Sequence, residues 1–321
     1  MAATDEASTA SEVGESKPSF RQALLAGLGV LVLLGALALG VGLLGQGKQA
    51  VPAAGPSRSA PLLKPGSLRI MVLGDSLAGS LAPGVAEGLG KAAVVFNGGS
   101  PGCSLASFQL ASNFRFTVPP GKPCVKDHPQ VLVRTWRQWI RGWHPNLVLY
   151  LARNDLADQQ IDGSWTHVGE SAFDRYYQGR LKSALHLFSV EQLPVVLLVP
   201  NQAESGSRLN VAVPEEEPAR RSALAAQLRE GVARVGYAHP SFSVLDLSAV
   251  LGNRAVDSAG LTHAQLFCPD GAHFVSATGA LVAKTQSSRW AALVAPVHPA
   301  PKVQVAVPAL RPSWWKHLQC R

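Results

Sequence analysis

Aliphatic runs and longer helical stretches alternate along the chain from residue 68 onward. The strand-like runs cover residues 68–73, 93–96, 147–151, 195–199 and 243–247. The helical stretches cover residues 77–91, 130–143, 172–190, 216–235 and 277–290. Strands that alternate with helices are typical of a parallel sheet covered by helices on both faces. The pattern therefore predicts an α/β fold with three layers (α/β/α) and a central parallel sheet of about five strands.

Near the N-terminus, an uninterrupted apolar segment predicts one transmembrane helix over residues 23–45. The chain carries no charge between Arg21 and Lys48, and the segment consists almost entirely of Leu, Val, Ala and Gly. Roughly 22 residues at about 1.5 Å each span about 33 Å, which is enough to cross the hydrocarbon core. A cleaved signal peptide is the alternative, because Ala53 and Ala54 would permit cleavage. However, a signal h-region usually has about 7–15 residues and follows a basic region, and neither condition holds here.

Composition divides the rest of the chain into a tail, a linker and a domain. Residues 1–22 are rich in Ser, Ala, Glu and Thr, which predicts a disordered N-terminal tail. Four prolines within residues 46–66 indicate a semi-rigid linker. The folded domain is predicted over residues 67–295, and the Pro- and Val-rich residues 296–321 form a C-terminal tail.

The basic charge balance favours an anionic partner. The net charge is +8, and residues 1–44 contribute two bases and four acids, so residues 45–321 hold 27 bases and 17 acids, a surplus of +10. Such a surplus suits a cell wall or lipid headgroups. No nucleic-acid-binding motif accompanies it, so no nucleic-acid partner is predicted, and the oligomeric state is left open.

Four cysteines, Cys103, Cys124, Cys268 and Cys320, permit disulfides in an oxidising compartment, with three possible full pairings. Cys103 and Cys124 bracket a loop rich in Pro and Gly, which makes this pair the preferred bridge. Buried free thiols are the alternative that the spacing leaves open.

The first strand-like run ends in Gly74-Asp75-Ser76. In an open α/β sheet, ligands bind at the carboxyl ends of the strands. Ser76 is therefore predicted to lie at the functional edge, at the start of the next helix, where its hydroxyl is a candidate nucleophile. The alternative is that Asp75 or Ser76 only caps that helix, as both residue types commonly do.

Three other stretches contain the groups that a serine nucleophile needs, namely a base, a group that orients the base, and oxyanion donors. Asp270 and His273 stand three residues apart in a predicted turn, so the carboxylate can bond Nδ1 and leave Nε2 for the serine. Asn154 follows a strand and can direct its amide toward an oxyanion. The Gly-rich residues 97–103 can offer backbone N–H groups to an anion. The structural alternatives are a surface turn, an Asx turn and a tight loop.

Ser100 is a second candidate nucleophile, because Gly98, Ser100 and Gly102 match the G-x-S-x-G elbow of α/β-hydrolases. That elbow uses the backbone N–H of the residue after the serine. Here this residue is Pro101, which has no N–H, so Ser100 is rejected.

Scattered histidines do not indicate a metal centre. The candidates are His128, His144, His167 and His263. They form no H-E-x-x-H motif and no Cys/His cluster. Neither a metal nor a cofactor is therefore predicted.

Taken together, these stretches resemble the SGNH (GDSL-type) hydrolase family, and they occur in the family's order. The four blocks are Gly74-Asp75-Ser76-Leu77, residues 97–102, Ala152-Arg153-Asn154-Asp155 and Asp270-Gly271-Ala272-His273. The resemblance extends over roughly residues 67–291 and implies a flavodoxin-like SGNH fold.

The resemblance also implies roles for individual residues. Ser76 corresponds to the nucleophile, His273 to the base and Asp270 to the carboxylate that orients the base. The backbone N–H groups of Ser76 and Gly102 and the side chain of Asn154 correspond to the oxyanion hole. Ala152 departs from the family's usual glycine, which leaves the local backbone geometry in question.

The resemblance and the apolar N-terminal segment together imply a single-pass protein of a bacterial cell membrane. Its catalytic domain would be extracytoplasmic and would hydrolyse esters, either acylated cell-surface glycans or small esters. Two alternatives remain open. One is an O-acyltransferase with the same catalytic residues, since SGNH domains attached to bacterial acyltransferases are loosely similar. The other is a catalytically silent SGNH-like binding or scaffold domain.

Overall fold

The computed structural model describes residues 68–107, 111–112, 117–118, 130–203, 215–235 and 241–294. All of them belong to the unit Arg58–Arg321. The predicted N-terminal tail, transmembrane segment, linker and C-terminal tail lie outside the described residues. No helix within the described ranges is long and apolar enough to span a bilayer. The transmembrane prediction for residues 23–45 therefore stays a prediction, as do the domain boundaries.

Nine strands form two sheets in the described part of the chain. The strands are β1 (Leu68–Gly74), β2 (Ala93–Gly99), β3 (Ala111–Ser112), β4 (Thr117–Val118), β5 (Leu147–Leu151), β6 (Asp158–Ile161), β7 (Ser164–Thr166), β8 (Val195–Val199) and β9 (Phe242–Asp246). The first sheet has the order β2-β1-β5-β8-β9, and every neighbouring pair in it is parallel. The predicted five-stranded parallel sheet is thus confirmed, and its order is that of flavodoxin-type open sheets.

Seven α-helices accompany the strands in the described residues. They are α1 (Ser76–Leu89), α2 (Gln130–Trp143), α3 (Ser171–Val190), α4 (Glu217–Val235), α5 (Leu247–Val250), α6 (Asn253–Ser258) and α7 (Ser276–Val294). The five long helices match the predicted helical stretches within a few residues, whereas the two short helices that follow β9 were not predicted.

Two hydrophobic cores lie on the two faces of the parallel sheet. One contains residues of α2, α3 and α4 around Trp136, Phe173 and Phe188. The other contains residues of α1, α5 and α7 around Leu81 and Trp290. The strands contribute alternate residues to the two cores, because successive side chains of a strand point to opposite faces. This arrangement confirms the three-layer α/β/α architecture.

Helices α1 and α7 pack closely enough that their contact requires glycine. A Cβ atom on Gly84 would lie 2.1 Å from Ser276 O, and one on Gly279 would lie 2.5 Å from Leu81 O. Because α7 begins three residues after His273, this contact fixes the His273 segment against the helix that Ser76 begins.

The second sheet is antiparallel, with the order β4-β3-β6-β7, and was not predicted. Its strands are two to four residues long and largely polar, so they lack an aliphatic run. The hairpin of β6 and β7 turns at Asp162 and Gly163, both with positive φ. An Asp-Gly pair is a recognised signal for such a turn, and here it was the detectable feature in the sequence.

Candidate functional site

Ser76 is the first residue of α1 and directly follows the helix cap. Asp75 caps the helix, because its Oδ1 accepts a hydrogen bond from the Leu77 N–H at 2.8 Å. Gly74 has a φ of 135°, and a Cβ there would lie 1.7 Å from Leu151 O. Only glycine fits this position, so β1 turns sharply into α1. The half-buried Ser76 is left with a backbone N–H in the first helical turn, where the helix dipole favours negative charge.

Asp270 and His273 form a hydrogen-bonded pair in the turn before α7. The His273 Nδ1 lies 2.7 Å from Asp270 Oδ2, and Asp270 Oδ1 accepts the N–H groups of Ala272 and His273, both at 2.9 Å. Burial acts to raise the pKa of Asp270, but these hydrogen bonds outweigh it and lower the pKa to about 2. The carboxylate is therefore ionised at neutral pH. It fixes the imidazole with Nδ1–H toward Asp270 and leaves Nε2 as the reactive nitrogen.

A hydrogen bond joins the His273 segment to α1. Phe274 N–H donates to Ser80 Oγ at 3.1 Å, and Ser80 Oγ donates to Leu77 O at 2.9 Å. Burial raises the pKa of Asp75, the neighbour of Ser76, whereas the N–H groups of Asn154 and Leu77 and the proximity of His273 oppose this change. Within the described residues Ser76 Oγ makes no hydrogen bond, so the contact between Ser76 and His273 Nε2 that a triad requires stays a prediction.

Asn154 lies in a 3₁₀ turn directly after β5 and is tied to the cap of α1. Its backbone N–H donates to Asp75 Oδ2 at 2.8 Å. The side chain of Asn154 makes no hydrogen bond to any described residue and is only partly buried. Ala152 has an ordinary extended backbone, with φ −143° and ψ 121°, so the methyl group in place of the family's glycine is accommodated without strain.

The Gly-rich segment that begins at the end of β2 is held against α1 by Asn97. Asn97 Nδ2 donates to Gly79 O at 2.9 Å, while Asn97 Oδ1 accepts the Gly99 N–H at 3.1 Å. Gly102 has a φ of 69°, a left-handed conformation that favours glycine. Its carbonyl accepts a hydrogen bond from Ser107 Oγ at 3.0 Å, and its N–H has no partner among the described residues.

Asp155 organises the loop that carries Gly102, a role that the sequence analysis missed. Its Oδ1 accepts the Ala106 N–H at 2.9 Å, and its Oδ2 accepts the hydroxyls of Tyr150 at 2.8 Å and Tyr177 at 2.9 Å. Tyr150 in turn accepts the Leu105 N–H at 2.9 Å. The detectable signal was a tyrosine in an otherwise aliphatic strand, since a buried hydroxyl needs a partner.

Burial changes the acidity of Asp155. The side chain is 1% exposed, and this burial raises its pKa to about 6, although the hydrogen bonds from Ala106, Tyr150 and Tyr177 favour the ionised form. The same environment raises the pKa of both tyrosines well above 10, through burial first and the neighbouring carboxylate second. At neutral pH the network therefore consists of one carboxylate and two tyrosine donors.

A buried ion pair lies behind Asn154. Arg153 Nη2 donates to Glu217 Oε1 at 2.6 Å, and Arg153 Nη1 donates to Asn201 O at 3.1 Å. Both charged side chains are at most 5% exposed. Burial lowers the pKa of Arg153, while the charges of Glu217 and Asp75 oppose the change. The pair thus ties the end of β5 to α4 and to the end of β8.

Neither the cysteines nor the histidines form a second chemical centre in the described ranges. Neither Cys103 nor Cys268 is a free thiol, and since Cys124 and Cys320 lie outside the described residues, the Cys103–Cys124 pairing stays a prediction. His167 and His263 bond to neighbouring polar groups, and His128 lies outside the described residues. No group of three potential metal ligands occurs in the part of the chain that the structure describes.

No protein-family model matches the chain, and no curated protein matches its sequence. Similar solved structures include an alpha/beta hydrolase enzyme from the metagenome of Lake Arreo, Spain. It is 14% identical, with 71% of this chain and 96% of that chain covered and a TM-score of 0.43. An acetylxylan esterase from Geobacillus stearothermophilus is 15% identical, with 70% and 94% covered and a TM-score of 0.40.

A GDSL-like lipase from Bacteroides thetaiotaomicron is also similar, at 17% identity, with 68% of this chain and 86% of that chain covered and a TM-score of 0.39. All three of these TM-scores lie below 0.5.

Proposed function

We propose that the chain is a membrane-anchored serine ester hydrolase of the SGNH type. The observation that carries the proposal is the Asp270–His273 hydrogen bond of 2.7 Å, in a turn whose next residue is bonded to the helix that Ser76 begins. Nucleophilic acyl transfer needs a serine and an imidazole that a carboxylate orients, and the Asp270–His273 pair supports the second requirement.

The chemistry follows from the tautomer that Asp270 imposes. With Nδ1–H bonded to Asp270, His273 Nε2 takes the proton from Ser76 Oγ as this oxygen attacks the ester carbonyl. Collapse of the tetrahedral intermediate breaks the bond to the alcohol oxygen, which receives the proton from His273. Water then attacks the acyl-serine, with His273 again acting as base, and releases the acid. The ionised Asp270 stabilises the imidazolium in both steps.

The oxyanion is held by three donors in this mechanism. They are the backbone N–H groups of Ser76 and Gly102 and the side-chain amide of Asn154. The helix cap at Asp75 sets the backbone conformation at Ser76, and the positive φ of Gly102 sets the direction of the Gly102 N–H. The Gly102 N–H and the Asn154 side-chain amide both lack a hydrogen-bond partner among the described residues. Preorganised donors of this kind need no rearrangement when charge develops on the carbonyl oxygen.

The substrate and location rest on the sequence. The apolar residues 23–45 would anchor the chain in the cell membrane, with the domain on the extracytoplasmic side. The basic surplus in residues 45–321 suits an anionic envelope surface, so acylated glycans of that surface, or small esters, are the proposed substrates. Protease treatment of intact spheroplasts tests the location, since an extracytoplasmic domain is degraded and a cytoplasmic one is protected.

Hydrolysis of 4-nitrophenyl acetate by the full chain in detergent tests the activity. Ser76→Ala and His273→Ala should each lower kcat at least 1,000-fold, because residues of a triad act as a unit. Ser100→Ala is the matched control, since it removes the rejected serine hydroxyl from the neighbouring loop. Rates that are equal in the wild type, Ser76→Ala and His273→Ala contradict the proposal, and so does a loss confined to Ser100→Ala.

A fluorophosphonate probe gives an independent measurement. It should label the wild type and Ser100→Ala at a single site and leave Ser76→Ala unlabelled. A wild-type protein that stays unlabelled would favour the silent binding domain over the hydrolase.

A further inference from the structure

A cavity of about 330 Å³ lies at the carboxyl edge of the parallel sheet, beyond the ends of β8 and β9. Its wall includes Asn201 after β8, Ser248 after β9, and Leu266 and Phe267 from the segment that leads to Asp270. A volume of this size is at the lower end of the range for small-molecule sites.

The sheet register relates one wall of the cavity to the segment that carries Asn154. Leu151 of β5 pairs with Leu198 of β8, so Asn154 and Asn201, each three residues later, leave the sheet at the same level. Arg153 Nη1 bonds Asn201 O at 3.1 Å and joins the two segments. Since neighbouring strands are about 4.8 Å apart, β8, which leads to Asn201, runs two strands, or about 10 Å, from β1, which leads to Ser76.

Asn201 is a buried polar residue of the cavity wall. It is 6% exposed, and its Oδ1 has no hydrogen-bond partner among the described residues. A buried acceptor without a donor is destabilising, and a donor from a ligand would offset this cost. The terminal torsion of Asn is broad, so the amide can turn toward a bound donor without leaving its rotamer.

Two further groups supply donors to the cavity. Ser248 Oγ accepts a hydrogen bond from Arg221 Nη2 at 2.5 Å, which leaves the hydroxyl proton of Ser248 available to another acceptor. Asn253 Oδ1 accepts from His263 Nε2 at 2.7 Å, which leaves the Asn253 NH₂ group free to donate. Donors and an acceptor around one cavity match hydroxyl groups, because a hydroxyl both donates and accepts.

The remaining wall is mainly uncharged, and the titratable side chain on it, His263, is bonded to Asn253. No Asp, Glu, Lys or Arg occurs among the described residues that line the cavity. Leu266 and Phe267 form its apolar side, and Phe267 is fixed by stacking on Phe274 at 5.7 Å between ring centroids. A neutral ring with hydroxyls at its edge and C–H groups on its face is complementary to such a wall.

We propose that this cavity is the subsite for the alcohol side of the ester, and that it binds a neutral polyhydroxylated ring, that is, a glycosyl residue. Asn201 accepts from one hydroxyl, Ser248 and Asn253 donate to others, and Phe267 covers a face of the ring. The inference rests on the proposed ester hydrolase activity for its place in catalysis, whereas the binding itself can be measured separately.

Two acetyl esters that share the acyl group and a six-membered ring distinguish binding at the subsite from the ester hydrolysis step. They are a mono-O-acetyl methyl glucoside, whose other hydroxyls are free, and cyclohexyl acetate, which has none. The wild type should have the higher kcat/KM for the glucoside. Asn253→Ala and Asn201→Leu should each lower kcat/KM for the glucoside about tenfold and change that for cyclohexyl acetate less than twofold. Asn253 is exposed, so Asn253→Ala is expected to fold even where Asn201→Leu does not.

The control variant is Asn146→Ala. Asn146 precedes β5 at the opposite edge of the sheet, where its Oδ1 accepts the Arg69 N–H at 2.7 Å. This change should lower stability and leave the ratio of the two kcat/KM values unaltered. Equal losses on both esters in Asn253→Ala, or no loss on the glucoside, overturn the subsite.

Saturation-transfer NMR of unacetylated methyl glucoside with the full chain measures binding at the subsite independently of catalytic activity. The wild type and Ser76→Ala should bind, and Asn253→Ala should bind at least several-fold more weakly. If the wild type binds methyl glucoside but hydrolyses neither ester, the proposed function is contradicted and the sugar-binding site is supported. If the wild type hydrolyses cyclohexyl acetate but does not bind methyl glucoside, the proposed subsite is contradicted and the ester hydrolase activity is supported.

Discussion

Asp75 and Asn154 stand 79 residues apart in the chain and are joined by a hydrogen bond of 2.8 Å from the Asn154 N–H to Asp75 Oδ2. The other carboxylate oxygen of Asp75 caps α1. One buried side chain therefore fixes the helix that Ser76 begins and the turn that presents the Asn154 amide. The relative position of the proposed nucleophile and one oxyanion donor depends on this carboxylate.

Asp75→Asn should separate the two functions of Asp75. The amide oxygen can still cap α1, but its NH₂ group then faces the Asn154 N–H, so two donors oppose each other. We expect an unfolding free energy lower by about 1–3 kcal/mol and a kcat that falls more than the stability loss explains. Asp75→Ala also removes the helix cap and should lower the unfolding free energy by about 1 kcal/mol more. Urea unfolding and ester hydrolysis measure both, and a wild-type kcat in Asp75→Asn would contradict this coupling.

Asn154→Ala should remove an oxyanion donor and leave the fold intact. Its side chain makes no hydrogen bond within the described residues, so the expected change in unfolding free energy is below about 1 kcal/mol. The loss of one oxyanion donor lowers kcat about 100- to 1,000-fold. Asn146→Ala is the control, because it removes a bonded asparagine far from the site and should lower the melting temperature without this loss of kcat. Unchanged turnover in a folded Asn154→Ala would exclude the amide from the oxyanion hole.

Asp155 should make the protein less stable as the pH rises from about 4 to 6. Its pKa is raised to about 6 in the folded chain, so the folded state binds more protons than the unfolded state between pH 4 and 6. Unfolding free energy therefore falls across this window, by at most about 3 kcal/mol, and stays lower above it. Asp155→Asn should abolish this component in urea titrations from pH 3.5 to 7.5.

Tyr177→Phe accompanies the Asp155 experiment. This change removes one hydrogen-bond donor to the Asp155 carboxylate and retains its charge. Because that hydrogen bond lowers the pKa of Asp155, the decrease in unfolding free energy with pH should persist and extend to higher pH. A wild type and an Asp155→Asn variant with parallel stability curves over the window would refute the role given to this carboxyl group.

Glu217→Gln should destabilise the domain strongly, because it leaves the buried Arg153 guanidinium without its counter-charge. Removal of one partner of a buried ion pair costs about 3–5 kcal/mol. The matched control is Glu230→Gln, which breaks an exposed i,i+4 pair with Arg234 on the same helix. Such a pair contributes about 0.5 kcal/mol or less. Similar unfolding midpoints for the two variants would show that Arg153 is compensated in another way.

The sequence by itself determined the α/β fold class, the five parallel strands and the ends of β1 and β5, where Ser76 and Asn154 stand. These features follow from the local hydrophobic periodicity and from Gly74, because the sharp turn after β1 requires glycine. The prediction that Ser100 is not the nucleophile rests on the proline that follows it. The sequence could not show the antiparallel second sheet, since strands of two to four polar residues have no hydrophobic period.

Only the tertiary structure decided which distant groups meet. The bonds of Asp75 with Asn154, of Asp155 with Tyr150 and Tyr177, and of Arg153 with Glu217 each join segments whose sequence spacing carries no information about contact. Burial, which raises the pKa of Asp155, likewise depends on the packing of α3 and the 102–107 loop around it. The candidates Ser76, Asp270 and His273 were visible in the chain, whereas the contacts of Asp75, Asp155 and Glu217 became visible only in the fold.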